Sequence, residues 1–495
     1  MRIKQLAVNL LATEGTLAQK TIRGGFWVFF SFGFGRILDI VRSIILARLL
    51  TPADFGLMGM VNVVTMALIV FTTSGVGPAL IHRRHVTDDV LNVAWAIGVL
   101  RGVLLCGVVF GAAPLMANFF GAAALQPLLQ VIAFTFLTEG FVNIGLTVLQ
   151  KELNFKTVAG LDLGSAVLSF AVTVVAALIL RNVWALAIGA LVEALARLVG
   201  SYIVHSFRPR LYWNWQLAKE LLGYGKHLLG SSVVYYFLTQ GDDALVGKIL
   251  GTAPLGLYGL AYRLSNMPAT NITQVVSQVT FPAFSQIQED LPALRSAYLR
   301  TLRFVALIAV PMSGGMFALA PEIVGVVYGD RWLPMVPAFM ILCFYGLERS
   351  IGASTGTVFL ALGKPHLALY LNVAKLVTMA VFLYPLTRHY GILGTSIAVT
   401  ISAVVVAVAV LPTAARLMQC RLTLLLGELR TPFAGTMLMV VGLFLVKRLF
   451  TPDRSVVTLL GLVGLGALIY GVYVFCSQPG WVRRGISLAA RWLKE

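Results

Sequence analysis

Acidic residues are scarce in this sequence, and so is charge of either sign. Asp and Glu number 20 and Lys and Arg 38 in 495 residues, so charged side chains make up 12% of the chain, where a soluble domain carries roughly 25%. That shortage excludes an ordinary water-soluble fold. The four cysteines, Cys106, Cys343, Cys420 and Cys476, are scattered; without metal or redox spacing they read as small apolar packing residues. Histidines give no ligand pair: His82 and His85 flank Arg83 and Arg84 in a solvated loop, and His227, His366 and His389 lie near the ends of apolar runs. Neither a metal nor a cofactor is expected. No Gly-x-x-x-x-Gly-Lys-Ser/Thr loop is present, so ATP hydrolysis on this chain is not expected. No nucleophile elbow and no paired extramembrane carboxylates point to an enzyme. The apolar run Leu6 to Ala12 is short and is followed by Glu14, without a small-x-small cleavage site. It reads as a retained tail at the membrane interface rather than a signal peptide.

What is abundant is apolar. Hydrophobic residues make up 58% of the chain, with 47 glycines, as suits helices packed closely in lipid. About fourteen runs reach the ~20 residues needed to cross the hydrocarbon. They lie roughly at 24–49, 55–80, 90–115, 122–148, 157–180, 182–205, 221–249, 255–284, 298–328, 334–362, 366–388, 391–415, 424–447 and 456–477. The reading is therefore an all-α integral membrane protein with about fourteen transmembrane helices. The formal charge of +18 does not imply nucleic acid, because the basic residues form no stripe. They sit in short loops on one side, among them Arg83, Arg84, Lys151, Lys156, Arg208, Arg210, Lys219, Arg295, Arg300 and Arg303. The positive-inside rule then places both termini in the cytoplasm, in a multi-pass cell (inner) membrane protein.

A repeat organises the chain. Gly25 to Met60 and Gly225 to Leu260 align without a gap, so that Leu50, Ala53, Gly56, Leu57 and Gly59 meet Leu250, Ala253, Gly256, Leu257 and Gly259. Each copy is an apolar run, a short polar turn and a second run. The copies lie an even number of spans apart and enter the membrane from the same side. That predicts two lobes about a pseudo-two-fold axis along the membrane normal, with a cavity between them. The expected organisation is an N-terminal lobe of six spans over 1–205, a cytoplasmic linker over 206–220 and a C-terminal lobe of six spans over 221–418. Two further spans and a cytoplasmic tail fill 419–495. The linker region, HSFRPRLYWNWQLAKE, is basic and aromatic, a composition suited to the lipid headgroup layer.

Charges inside the runs carry the functional information, since each costs roughly 2.5–3.5 kcal/mol at the bilayer centre. Arg36, Asp39 and Arg42 follow i, i+3, i+6 in the first run, and Glu193 and Arg197 are four apart in the sixth. Arg101, Glu139, Asp242, Asp243, Arg263, Glu348, Arg349 and Lys375 complete the set. Such groups face a wet cavity or form interhelical ion pairs. Tyr235, Tyr236, Tyr258, Tyr262, Asn266, Asn271 and Gln274 are candidates for sugar hydroxyls; Tyr258, Tyr262 and Asn266 share one helical face. The alternative for that polar stripe is helix–helix hydrogen bonding. Prolines at 268 and 282 are candidate kinks.

Four stretches carry a family resemblance: LARLLTPADFGLMGM at 46–60, LQKELNFK at 149–156, FPAFSQIQED at 281–290 and YGDRW at 328–332. In this order and spacing they resemble the Wzx-type polysaccharide flippases of the multidrug/oligosaccharidyl-lipid/polysaccharide transporter superfamily, nearest the branch of colanic-acid and teichuronic-acid exporters. The resemblance implies two six-helix lobes in a V, plus two C-terminal helices. It implies movement of undecaprenyl-diphosphate-linked oligosaccharide between leaflets, driven by an ion gradient. Partners expected on this basis are the lipid-linked oligosaccharide, membrane lipid, and a polysaccharide polymerase with its co-polymerase. The family has no strict signature to transfer, so the site residues rest on depth and charge. For the substrate these are Arg36, Asp39, Arg42, Arg101, Arg263, Arg349, Lys375, Tyr258, Tyr262 and Asn266; for ion coupling, Glu139, Glu193, Glu348, Asp242 and Asp243. Two other readings stay open: an ion-coupled drug antiporter on the same fold, which would want a carboxylate-rich cavity, and a membrane polymerase or ligase, which would want a long outer loop.

Overall fold

The computed structural model describes residues 17–72, 75–83, 85–223, 229–270, 274–450 and 453–477, and among them every regular element is helical. The first residues, expected as an interfacial tail, the expected cytoplasmic tail after 477 and Asn271 lie outside these residues. The chain divides into two compact units, Met1–Tyr236 with Gly251–Ala253, and Phe237–Leu250 with Pro254–Glu495.

Unit 1 is built from α1 Leu17–Leu49, α2 Pro52–Phe71, α3 Val76–His82, α4 Asp88–Phe120, α5 Leu125–Gly140, α6 Gly145–Lys151, α7 Phe155–Leu180, α8 Trp184–Val204 and α9 Trp215–Gly223. The polar turn of the first repeat copy starts α2 with a capping box. Asp54 Oδ2 accepts from the Thr51 amide at 2.9 Å, and Asp54 Oδ1 accepts from the Val183 amide at 2.9 Å. One carboxylate thus caps a helix and ties it to the start of α8. Helices α4 and α5 touch backbone to backbone. A Cβ on Gly102 would fall 2.7 Å from Phe136 O and 2.9 Å from Gly140 Cα, so only glycine fits the crossing. This sets Arg101 and Glu139, each adjacent to one of these glycines, on neighbouring helices. The run expected at 122–148 is broken: α5 and α6 meet at 59°. Asn143 accounts for the break. Fully buried, it takes the Gly145 amide on Oδ1 at 2.9 Å and donates Nδ2 to Phe207 O at 2.8 Å.

Helix α10, Leu229–Leu250, is followed in unit 2 by α11 Thr252–Ser265, α12 Gln274–Gln286, α13 Leu291–Ala318, α14 Ala320–Ile323, α15 Val336–Ala361, α16 Pro365–Leu417, α17 Leu422–Phe450 and α18 Val456–Ser477. At 53 residues α16 is far longer than a bilayer; Gly391, at φ 60° and ψ −141°, divides it into the two runs expected at 366–388 and 391–415. That conformation is open to glycine and strained for other residues. Helices α17 and α18 are fastened along α13. Arg303 pairs with Glu428. Lys447 Nζ lies 2.7 Å from Glu322 and 3.0 Å from Ala318 O at the end of α13, where the helix dipole favours a cation. Between these clamps Pro311 leaves the Leu307 carbonyl without an amide, and Tyr470 donates its hydroxyl to it at 2.9 Å.

Among the described residues nine helices are long and apolar enough to cross a membrane, or ten if the bent α5–α6 pair is one span. The protein is a multi-pass membrane protein.

Candidate functional site

In unit 1 the charges predicted from sequence form two ion-paired groups that meet along α8 and span four helices, and they include a residue the sequence reading missed. Arg42 Nη2 bonds Asp39 Oδ1 at 3.1 Å within α1, and its Nη1 lies 4.0 Å from Glu193 on α8. Arg197, one turn further along α8, lies 3.2 Å from Asp162 on α7 and 3.9 Å from Glu139 on α5. The expected local pair of Glu193 with Arg197 is therefore replaced by bonds across helices. Asp162 is the missed residue; an acid inside an apolar run was the signal that would have found it.

Two cations of this group, Arg36 and Arg101, have no carboxylate within 4.0 Å among the described residues, although the charge of Glu139 acts on Arg101. The Arg36 guanidinium lies over the Phe32 ring at 5.6 Å from its centroid, and its Nε is buried without a hydrogen-bond partner. Arg101 donates Nε to Thr72 Oγ1 at 3.3 Å. Asp39 thus neutralises Arg42 rather than Arg36. The network is open: the side chains of Arg42 and Glu193 are 34% and 47% exposed. Charges in transmembrane helices do not face hydrocarbon uncompensated, and here Arg42 and Arg197 are compensated by acids of their own unit.

Unit 2 holds a second polar group, and it is closed. Lys375 Nζ bonds Glu348 at 2.7 Å, with side chains only 12% and 14% exposed, and sits 4.8 Å above the Tyr345 ring. Arg349 donates to Asn266 Oδ1 at 2.9 Å and to Tyr262 Oη at 3.4 Å. Tyr262 and Tyr345 exchange a hydroxyl contact at 3.3 Å, and Tyr258 donates to Asp242 Oδ2 at 2.6 Å. The stripe Tyr258, Tyr262, Asn266 is thus engaged in helix–helix hydrogen bonding. Asp242 Oδ1 and Asp243 Oδ1 are buried without a hydrogen-bond partner. Arg263 is exposed, and its charge acts on Asp243. Two backbones touch here, since a Cβ on Gly346 would strike Ser265 O at 2.0 Å. Tyr345, which ties the group together, was not singled out from sequence; one aromatic in an apolar run carries no signal. Within unit 1, Tyr236 donates to Val63 O at 3.0 Å and Tyr235 is exposed. Among the described residues no group of three His, Cys, Asp or Glu is arranged to hold a metal. Outside the long helices, burial pushes the Cys420 thiol up against a smaller pull from Arg295, and the side chain packs on the core of unit 2.

Comparison with known proteins adds a family, two relatives and a fold. A family model described as "Polysaccharide biosynthesis protein" matches residues 45–337. The chain is 27% identical over 366 residues to the lipopolysaccharide biosynthesis protein WzxC of Escherichia coli K12, covering 73% of this chain and 74% of that one. It is 26% identical over 382 residues to the teichuronic acid biosynthesis protein TuaB of Bacillus subtilis, covering 74% and 77%. Among solved structures, the lipid II flippase MurJ in an inward closed conformation superposes with a TM-score of 0.77 over 93% of this chain and 100% of that chain. At 14% identity, that likeness speaks to the fold alone.

Proposed function

This chain belongs to the polysaccharide biosynthesis protein family, and we propose that it is a flippase for lipid-linked oligosaccharide. The cargo is an undecaprenyl-diphosphate-linked repeat unit moved from the cytoplasmic to the outer leaflet for polysaccharide export. Relatives named for lipopolysaccharide and teichuronic acid biosynthesis support the cargo class. The fold is the one a lipid II flippase has. The observation that carries the reading is the half-open ionic face of unit 1, with Arg36 and Arg101 left for an anion while Arg42 and Arg197 are each held by two carboxylates. A diphosphate does not cross hydrocarbon unaided, and arginine offers several donors to phosphate oxygens.

Fourteen passes, as two lobes of six and a C-terminal pair, with both termini cytoplasmic, belong to the same proposal. The repeat of 25–60 at 225–260 and the one-sided basic loops support them. Asp242 and Asp243 are the coupling candidates of unit 2, since Glu348 is engaged by Lys375. The test is whole-cell: lipid-linked sugar on the inner leaflet, measured beside protein level. Loss of the chain should make that pool accumulate, and Arg36→Ala should do so at normal abundance. Normal export in Arg36→Ala and Arg101→Ala cells removes these arginines from the mechanism.

A further inference from the structure

We propose that the segment 205–223, which follows α8, is a rigid ledge that docks on phosphate-bearing headgroups of the surrounding bilayer. This rests on the chain crossing a membrane and not on its cargo.

A linker between two halves of a transporter is ordinarily read as a flexible tether. Here the linker is fastened to unit 1 by buried side chains. Phe207 O accepts from Asn143 Nδ2 at 2.8 Å, and the Arg210 amide donates to Asn92 Oδ1 at 2.7 Å. Ala218 and Leu221 of α9 are buried among Val76, Leu80, Val90, Val93, Ala94 and Ile97. Arg83 and Glu220 pair at 3.0 Å. Backbone held this way keeps its outward side chains in place.

Those side chains are large and apolar. Leu211 is 89% exposed, Trp215 73%, Trp213 44% and Leu222 43%. The two indoles stand 6.2 Å apart. Trp215, Lys219 and Leu222 follow i, i+4, i+7, so they share one face of α9, beside its buried residues. Arg208, Arg210 and Lys219 are exposed among them, while the acid of the helix, Glu220, is taken by Arg83. The result is an apolar aromatic surface fringed by three cations.

Two features select a lipid surface as the occupant. One is continuity: α8 is long and apolar enough to cross a membrane, and its exposed Val199 and Ile203 lead directly into the ledge. The other is complementarity. Indole rings settle at headgroup level, and Arg and Lys extend their stems over apolar surface to reach phosphate. A soluble protein partner would meet the same indoles in water.

The test uses the full chain in nanodiscs, with Trp213→Phe/Trp215→Phe beside wild type. Lipid brominated high on its acyl chain should quench wild-type fluorescence more than that of the double variant, and bromine near the chain end should quench the difference less. Equal bromine quenching of both proteins, or full access of aqueous iodide to the two indoles in the bilayer, overturns the proposal; the latter is what a protein-docking face would give. A second arm avoids the tryptophans. Adding phosphatidylglycerol to a zwitterionic bilayer should raise the melting temperature of wild type at least twice as much as that of Arg210→Gln/Lys219→Gln. An equal rise in both contradicts it. So does reproduction of the wild-type rise by inorganic phosphate in detergent, which would make the ledge a soluble-anion site.

Discussion

Glu193 and Arg197 lie one turn apart on α8 and are bonded to different helices: Glu193 faces Arg42 of α1, and Arg197 reaches Asp162 of α7 and Glu139 of α5. A local pair would stiffen one helix. These bonds stitch four helices together along an open face, and each arginine sits between two acids.

Arg197→Ala should leave Asp162 and Glu139 without their common cation. Because the pairs are 40% to 65% exposed, their loss should cost no more than about 1 kcal/mol of stability. Export should nevertheless fall at least about tenfold, the equivalent of about 1.4 kcal/mol, with partial recovery in Arg197→Lys, which keeps the charge and loses the fork. Thermal melting beside export separates the two effects.

Much of this was legible in the sequence. Composition gave the membrane class, and depth singled out Arg36, Asp39, Arg42, Glu139 and Glu193 within a wider set of charges along the whole chain. The pairing was not legible, because sequence spacing reports neighbours on one helix while these bonds cross between helices. Breaks inside apolar runs were also hidden. Asn143 bends α5 from α6 through hydrogen bonds to Gly145 and Phe207, and the second partner is distant in sequence. Gly391, by contrast, falls where the reading had already placed a turn.

Tyr470→Phe should lower stability by about 1 kcal/mol, by orphaning the Leu307 carbonyl. In a Pro311→Ala background the alanine amide returns to Leu307 and the same change should cost less. A double-mutant cycle on unfolding measures this, and a coupling of zero would show that Pro311 does not create the need for Tyr470.

Gly346→Ala should abolish folded protein, since its Cβ would meet the Ser265 carbonyl at 2.0 Å, a backbone atom with nowhere to go. Gly356→Ala on the same helix meets nothing within 4 Å and should be tolerated. Yield of monodisperse protein by gel filtration compares them.

Glu348→Gln should destabilise by roughly 3–5 kcal/mol, because it leaves Lys375 charged and buried without its partner. Glu348→Gln with Lys375→Met removes the stranded charge and should recover most of that loss. Should the single variant melt like wild type, the pair is not structural and Glu348 returns to the coupling candidates.

Flipping itself, in a defined membrane, tests the central claim most directly. Purified protein in sealed vesicles is given a fluorescent polyprenyl-diphosphate oligosaccharide in one leaflet, and its arrival in the other is read with a membrane-impermeant quencher. Wild type should move the lipid across under an imposed ion gradient. Arg36→Ala/Arg101→Ala, incorporated at equal density, should leave it behind. Transfer by the double variant at the wild-type rate would contradict the assignment of these two arginines to the headgroup, and no transfer by wild type under any gradient would contradict the flippase itself.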